Sequence, residues 1–181
     1  NNIYINYLQS LMSRYLKFKS ILTKNLTKDN IKKILSLKKQ VYNFSLTSHR
    51  NWFKKNMNSN DINNLLIYKS KIVGYTALRT KKCILNKKKN QKILIFDTFL
   101  IKRELRKKGF GSKLMIFNNL VILRKKTGSV LLCNKSMTHF YKFFNWKILN
   151  KKKIKFQSHK IKKKYVMTKD IKKINHLNVI L

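Results

Sequence analysis

Glycine is rare in this chain, four residues in 181, and two of the four stand one residue apart in Arg106-Lys107-Lys108-Gly109-Phe110-Gly111-Ser112. Proline is absent altogether, so this segment is the chain's densest backbone punctuation. It follows an apolar run, Ile93 to Ile101, and opens a second one, Leu114 to Leu123. The pattern predicts a strand, a tight basic turn and a helix. Such a turn aims backbone N–H groups and a helix N-terminus at an anion, usually a phosphate. Glycine lacks a Cβ, so it allows unusual backbone angles and close approach of a ligand to the main chain. An ordinary strand-to-helix turn with solvated lysines is the competing reading of these seven residues.

A chain of 181 residues, 43% hydrophobic and 12% aromatic, has the length and apolar content for a single domain with a real core, which excludes disorder. Its charge is extreme: 44 Lys and Arg against five Asp and Glu, a formal net +39. One consequence is an affinity for polyanions, whether nucleic acid, ribosome or anionic membrane. The other source of such charge is compositional drift, because Lys, Asn, Ile, Phe and Tyr are all over-used, as in an AT-rich genome. The lysines are scattered rather than gathered in one stripe, which puts drift first; weak non-specific polyanion binding at low salt follows in either case.

Cys83 and Cys133 are isolated and form neither a disulfide framework nor a zinc motif, as suits a reducing cytoplasm. His49, His139, His159 and His176 lack metal-ligand spacing, so no metal is expected. No apolar run reaches the length of a membrane-spanning helix. The N-terminus shows no signal-peptide pattern and no initiator Met, so the chain is expected to be processed or incomplete.

Helical spacing of Ile5, Leu8, Leu11, Met12 and Tyr15 predicts a leading helical extension over residues 1–17. The main domain is expected over 18–170, with a polar tail at 171–181. Within it, Ser20–Leu26 reads as a short strand. Thr27 or Asp29 caps a helix to about Val41, with Ile31, Ile34, Leu35 and Leu37 on its apolar face. Ser48 caps a second helix holding Trp52 and Phe53, and the Asn-rich stretch 56–64 reads as a loop. Strands are expected at Leu65–Tyr68, at Ile72–Leu78 with a bulge at Gly74, and at Ile93–Ile101 after the polar loop 86–91. The helix after the glycine turn carries Leu114, Phe117 and Val121 on one face and ends with Gly128 as a left-handed residue. Val130–Cys133 is a short buried strand, Ser136 to Phe144 a helix, and Asn145 its left-handed terminator. Trp146–Leu149 and Tyr165–Thr168 are the last strands, and the lysine runs between them read as solvated loops. A mixed sheet covered by helices is the natural packing of this order.

Two motifs in this frame resemble those of a known family. Arg106-x-x-Gly109-x-Gly111 at a strand-to-helix junction resembles the acetyl-CoA pyrophosphate loop of the GNAT superfamily of N-acetyltransferases. Asn134 after a short apolar strand, followed by Met137, Phe140, Tyr141, Asn145 and Trp146, resembles the family's second pattern. Ile72-Val73-Gly74-Tyr75 is similar to its central hairpin. Asn145 stands where the family has Gly, and Met137 where it has a small residue. The resemblance implies the GNAT acyl-CoA N-acyltransferase fold: an α+β arrangement (α/β in the broad sense) with a mixed, mostly antiparallel central sheet flanked by helices.

It also implies a chemistry. Acetyl-CoA is the co-substrate, its pyrophosphate held by Arg106, Lys107, Lys108, Gly109, Phe110, Gly111 and Ser112, with Asn134 and Tyr141 as further cofactor contacts. The pantetheine arm pairs with the strand end at Phe99, Leu100 and Ile101 as an added strand does, and main-chain N–H near Phe99 and Leu100 steadies the developing oxyanion. Tyr141 matches the family's general acid; packing with Phe140, Phe143 and Phe144 is its alternative role. Few carboxylates are available to take the amine's proton. Asp97, within the apolar strand before Arg106, is the first choice as general base or ammonium ligand, with a structural partner for a lysine as its alternative role and a water chain as an equal alternative for the base. His49 lies in the segment that shapes the acceptor pocket in the family. The first expected acceptor is the primary amine of a small molecule, an amino sugar or similar. Alternatives are a peptide or protein amine, or a non-catalytic, basic RNA- or ribosome-associated module with the same fold.

Overall fold

A computed structural model of the chain describes residues 15–156, 165–171, 175 and 177–179. In chain order the elements are β1 (Leu16–Leu22), α1 (Lys28–Lys39), α2 (Leu46–Asn56), β2 (Ile62–Tyr68), β3 (Lys71–Leu85) and β4 (Lys88–Ile101). They continue with α3 (Phe110–Arg124), β5 (Ser129–Cys133), α4 (Thr138–Phe143), β6 (Lys147–Leu149), β7 (Ile154–Phe156), β8 (Tyr165–Lys169) and β9 (Leu177–Val179). Hydrogen bonding orders the strands β1-β2-β3-β4-β5-β8-β6, with β9 beside β3 and β7. β4–β5 and β7–β9 are parallel, whereas β1–β2, β3–β9, β5–β8 and β6–β8 are antiparallel. The sheet is therefore mixed and mostly antiparallel, as expected. The chain forms two compact units, one from the chain up to Thr76 with Thr98–Leu114, the other from Ala77–Asp97 with Met115 onward.

In the first unit, Thr27 starts α1 as anticipated. Its Oγ1 accepts from the Asn30 N–H at 3.1 Å and the Asn30 amide oxygen accepts from the Thr27 N–H. This capping box satisfies two N–H groups that helix geometry leaves unpaired. Ile34, Leu35 and Leu37 form the buried face of α1. The second helix is capped by Ser45, not Ser48: the Ser45 Oγ accepts from the Ser48 N–H at 3.0 Å. β1 begins at Leu16, so residues 16 and 17 are strand rather than helix; residues 1–14 of the leading segment lie outside the described residues. β2 reaches back into the Asn-rich stretch and buries Asn63 and Asn64. Asn63 is tolerated there because it accepts from the Tyr75 hydroxyl at 2.8 Å and donates to the Thr23 hydroxyl at 3.0 Å. Gly74 answers to crowding. A Cβ there would lie 2.9 Å from Ile101 and 3.0 Å from Leu114 and Leu66.

In the second unit, the β4–β5 ladder runs from Leu94↔Ser129 to Phe96↔Leu131, and the buried Ser129 hydroxyl donates to the Leu94 carbonyl at 2.8 Å. Cys83, Ile93, Ile95, Val130, Leu149, Ile154, Val166, Leu177 and Val179 form one core cluster. The expected loop at 86–91 shrinks to a turn at 86–87, and β3 and β4 extend through the polar residues on either side. Lys151–Lys153 forms a short 3-10 turn leading into β7. Leu177 and Val179, expected in the polar tail, are fully buried in β9. Lys126 (φ 50°) is the left-handed residue beyond α3. Gly128 instead makes room for Ile171, whose Cγ1 would lie 2.2 Å from an added Cβ. Asn145 (φ 63°) ends the α4 segment as expected.

Candidate active site

The glycine turn is built from the end of β4. The Lys102 N–H donates to the Val73 carbonyl at 2.8 Å, and Arg103–Leu105 makes one 3-10 turn. Arg106 folds back so that its Nε donates to the Ile101 carbonyl at 3.1 Å. Lys107 (φ 59°) and Gly109 (φ 78°) then both take the left-handed conformation, and α3 starts at Phe110. Its first bond runs from the Lys113 N–H to the Gly109 carbonyl. The N–H groups of Phe110, Gly111 and Ser112 therefore precede the intrahelical ladder.

Phe110 is an anchor: its ring is buried against Tyr68, centroids 5.2 Å apart, so only its main chain can serve a ligand. Lys107, Lys108 and Gly109 are exposed, and Gly111 and Ser112 are half-buried. A Cβ on Gly109 would meet no atom within 4 Å, whereas one on Gly111 would stand 3.6 Å from the Phe99 ring. Gly109 thus faces open space, and the turn lies beside Phe99 and Ile101. Arg103, Arg106, Lys107 and Lys108 surround it, while the nearest acid in the chain, Glu104, is paired with Lys102. That pairing and a backbone hydrogen bond hold the Glu104 carboxyl below its usual range. N–H groups ahead of the intrahelical ladder, a helix N-terminus and neighbouring exposed cations fit a phosphate-type anion.

The second unit holds the other anticipated residues. Tyr141 is 7% exposed, with its ring edge-on to Phe96 at 6.1 Å and close to Phe140 and Trp146. Asn134 is exposed and heads the turn into α4, its carbonyl accepting from the Met137 N–H at 3.0 Å. Asp97 lies one residue past the β4–β5 ladder and pairs with Arg79 at 2.6 Å. One structural partner of this carboxylate is therefore an arginine.

Neither a protein-family model nor a curated protein sequence matches the chain. In three dimensions the position is different, and 382 solved chains match it. YhbS of Escherichia coli, a GNAT family N-acetyltransferase in complex with CoA, superposes with a TM-score of 0.64 at 8% identity, covering 92% of this chain and 90% of that one. Escherichia coli ElaA gives 0.59 at 11% identity over 84% of this chain and 98% of its own. Arabidopsis thaliana Naa50, in complex with the bisubstrate analogue CoA-Ac-MVNAL, gives 0.56 at 15% identity over 87% and 99%. This chain has the GNAT fold.

Within the GNAT fold, the turn Arg106–Ser112 and the strand end Phe99–Ile101 stand together in the first unit, and Asp97, Asn134 and Tyr141 belong to the second. Two residues escaped the sequence reading. Arg79 is one; its only signal was a lone cation ending an apolar strand, opposite in sign to the lone acid of the next strand. The other is Lys38. Lys38 is buried in α1 with its Nζ 3.7 Å from the centre of the Trp52 ring of α2, an arrangement that long-range packing alone creates. His49 is also buried, at 4% exposure, between Tyr42 and Phe44, and its Nε2 has no hydrogen-bond partner among the described residues. Both cysteines are buried free thiols, and burial pushes both pKa values up. Among the described residues no cluster of His, Cys, Asp or Glu could hold a metal, and no helix is long and apolar enough to cross a membrane.

Proposed function

We propose that the chain is an acetyl-CoA-dependent N-acetyltransferase acting on the primary amine of a small molecule, by direct attack with both substrates bound. The observation that carries this reading is the Arg106–Ser112 turn: left-handed Lys107 and Gly109 open the N-terminus of α3 to an anion amid exposed cations, on a fold shared with acetyltransferases. Acetyl-CoA supplies a thioester carbon to which an amine adds and from which a thiolate departs. The N–H groups of Phe110, Gly111 and Ser112 and the Arg106, Lys107 and Lys108 side chains hold the pyrophosphate, and the Gly109 backbone lets it come close. The main chain at Phe99, Leu100 and Ile101 pairs with the pantetheine amides and steadies negative charge on the acyl oxygen. Tyr141 gives its phenolic proton to the leaving thiolate, and Asn134 contacts the cofactor. Asp97 takes the amine's proton or holds its ammonium form. Arg79 gives this carboxylate a structural reason to exist as well, so the Asp97→Asn variant described below decides its share.

A peptide amine is the second reading, favoured by the likeness to Naa50, whose bound analogue joins CoA to a peptide. The test is a melting curve of the full chain with acetyl-CoA, followed by thiol release over a panel of amino sugars, simple amines and peptides. A raised melting temperature and acceptor-dependent thiol release are expected. No shift at saturating acetyl-CoA overturns the proposal, and release only with peptides selects the second reading.

A further inference from the structure

Helix α3 is apolar on two opposite sides. Met115, Asn118, Val121 and Ile122 are buried. Ile116, Leu120 and Leu123 are 52, 46 and 61% exposed, and their i, i+4, i+7 spacing places them within about 60° of arc at 3.6 residues per turn. This side of α3 is tied to the end of α4. The Asn119 side chain, at its border, donates to the Phe144 carbonyl and accepts from the Trp146 indole, each at 3.1 Å. Beside these docked residues, Phe143 is 77% exposed and Ile148 on β6 is also exposed. The exposed cations Arg124, Lys125, Lys126, Lys142 and Lys147 flank the row along the chain. No Asp or Glu occurs anywhere between Glu104 and Asp170.

We infer that this face of α3 and α4 docks on an anionic phospholipid surface. An exposed aliphatic row flanked by cations matches the headgroup–acyl boundary, where the apolar side chains sink while lysine and arginine meet lipid phosphates. A second copy of the chain is a poor occupant. It would bring the same cations and another +39 against this face with no acid to offset them. Nucleic acid matches the cations but gives Ile116, Leu120 and Leu123 nothing to bury against, since single strands are gripped by aromatic stacking. The inference goes beyond the acetyl-transfer reading and does not depend on it.

The test is co-sedimentation of the full chain with vesicles of phosphatidylcholine alone or of equimolar phosphatidylcholine and phosphatidylserine, at a physiological salt of about 0.15 M. Binding to the anionic vesicles only is expected. Ile116→Asn/Leu120→Asn/Leu123→Asn, which leaves the net charge unchanged, should weaken it roughly tenfold or more. A second readout is a spin label on Leu120→Cys, the native cysteines being buried; the label should become accessible to oxygen in the acyl region. Four outcomes overturn the inference: no vesicle binding, equal binding to neutral vesicles, wild-type binding by the triple Asn variant, or a label that stays in water. A dimer in sedimentation equilibrium that the triple variant disperses likewise overturns it, by making the face a subunit interface.

Discussion

Replacing Gly109 by Asn or by Asp separates backbone strain from charge at the proposed pyrophosphate site. Gly109 sits at φ 78°, and a Cβ there meets no atom within 4 Å, so neither side chain clashes with the protein. Asn and Asp tolerate the left-handed conformation best among residues with a Cβ. Each substitution should therefore cost about 1 kcal/mol, a fall in melting temperature of roughly 2–4 °C for a chain of this size. Acetyl-CoA at a hundred times its dissociation constant stabilises the wild type by about 2.7 kcal/mol, or roughly 5–11 °C. The two variants part company on adding the ligand. Asparagine introduces no charge, whereas one carboxylate close to a pyrophosphate on an exposed, solvent-screened turn costs about 1–2 kcal/mol in total. That weakens binding roughly five- to thirtyfold and cuts the ligand-induced shift to about a third to two-thirds of wild type at the same concentration. Differential scanning fluorimetry of the three proteins, with and without acetyl-CoA, reads both effects. Equal shifts for the Asn and Asp variants would refute the placement of an anion at this turn. A melting-temperature loss far beyond a few degrees without ligand would refute the argument that Gly109 faces open space.

Tyr141→Phe should lower turnover by about tenfold or more while leaving the acetyl-CoA melting shift unchanged, because only the proton donor is lost; unaltered turnover leaves Tyr141 a packing residue. Asp97→Asn removes a counter-charge from Arg79, whose side chain is 10% exposed against 23% for Asp97. A cost of about 2–3 kcal/mol is expected in urea unfolding, reduced from the fully buried case by the partial exposure. Arg79→Met/Asp97→Leu should recover most of that stability, and turnover of the folded Asp97→Asn fraction near wild type removes Asp97 from the chemistry. Burial holds the Cys83 and Cys133 thiols above the ordinary value of 9.0, so the unfolded chain releases these protons first. Their contribution to stability is complete below that pH and falls as pH rises above it. Cys83→Ala/Cys133→Ala should flatten the alkaline fall in urea midpoint, and an identical slope refutes the assignment.

Local signals were legible in the sequence. α1 could be read because Thr27 caps a 3.6-residue repeat of Ile34, Leu35 and Leu37, and both capping and periodicity are set within a few residues. β5 could be read from four consecutive apolar residues, and Asn145 from its place after a helix. What escaped depends on partners distant along the chain. Leu177 and Val179 are two apolar residues in a polar tail, too few to announce a strand, and become β9 only because β3 and β7 offer them ladders. Asn63 signals a loop by composition and a strand once Tyr75 and Thr23 satisfy its amide. Gly74 and Gly128 read as bulge and cap, but the packing of Ile101, Leu114 and Ile171 is what excludes a side chain there.

The same division holds for function. Sequence alone determined the composition of the glycine turn, because backbone angles and cations there are specified by seven consecutive residues. It also determined the excess of positive charge, which is a sum and needs no geometry. Tertiary structure decided which charges are engaged: Asp97 meets Arg79, and Lys38 rests on Trp52. It also decided which face of α3 the core takes. Ile116, Leu120 and Leu123 are as apolar as Met115 and Ile122, and only the packing of the fold left the first three in water. Hydrophobicity selects what can be buried; the limited area that a sheet offers one helix selects what is.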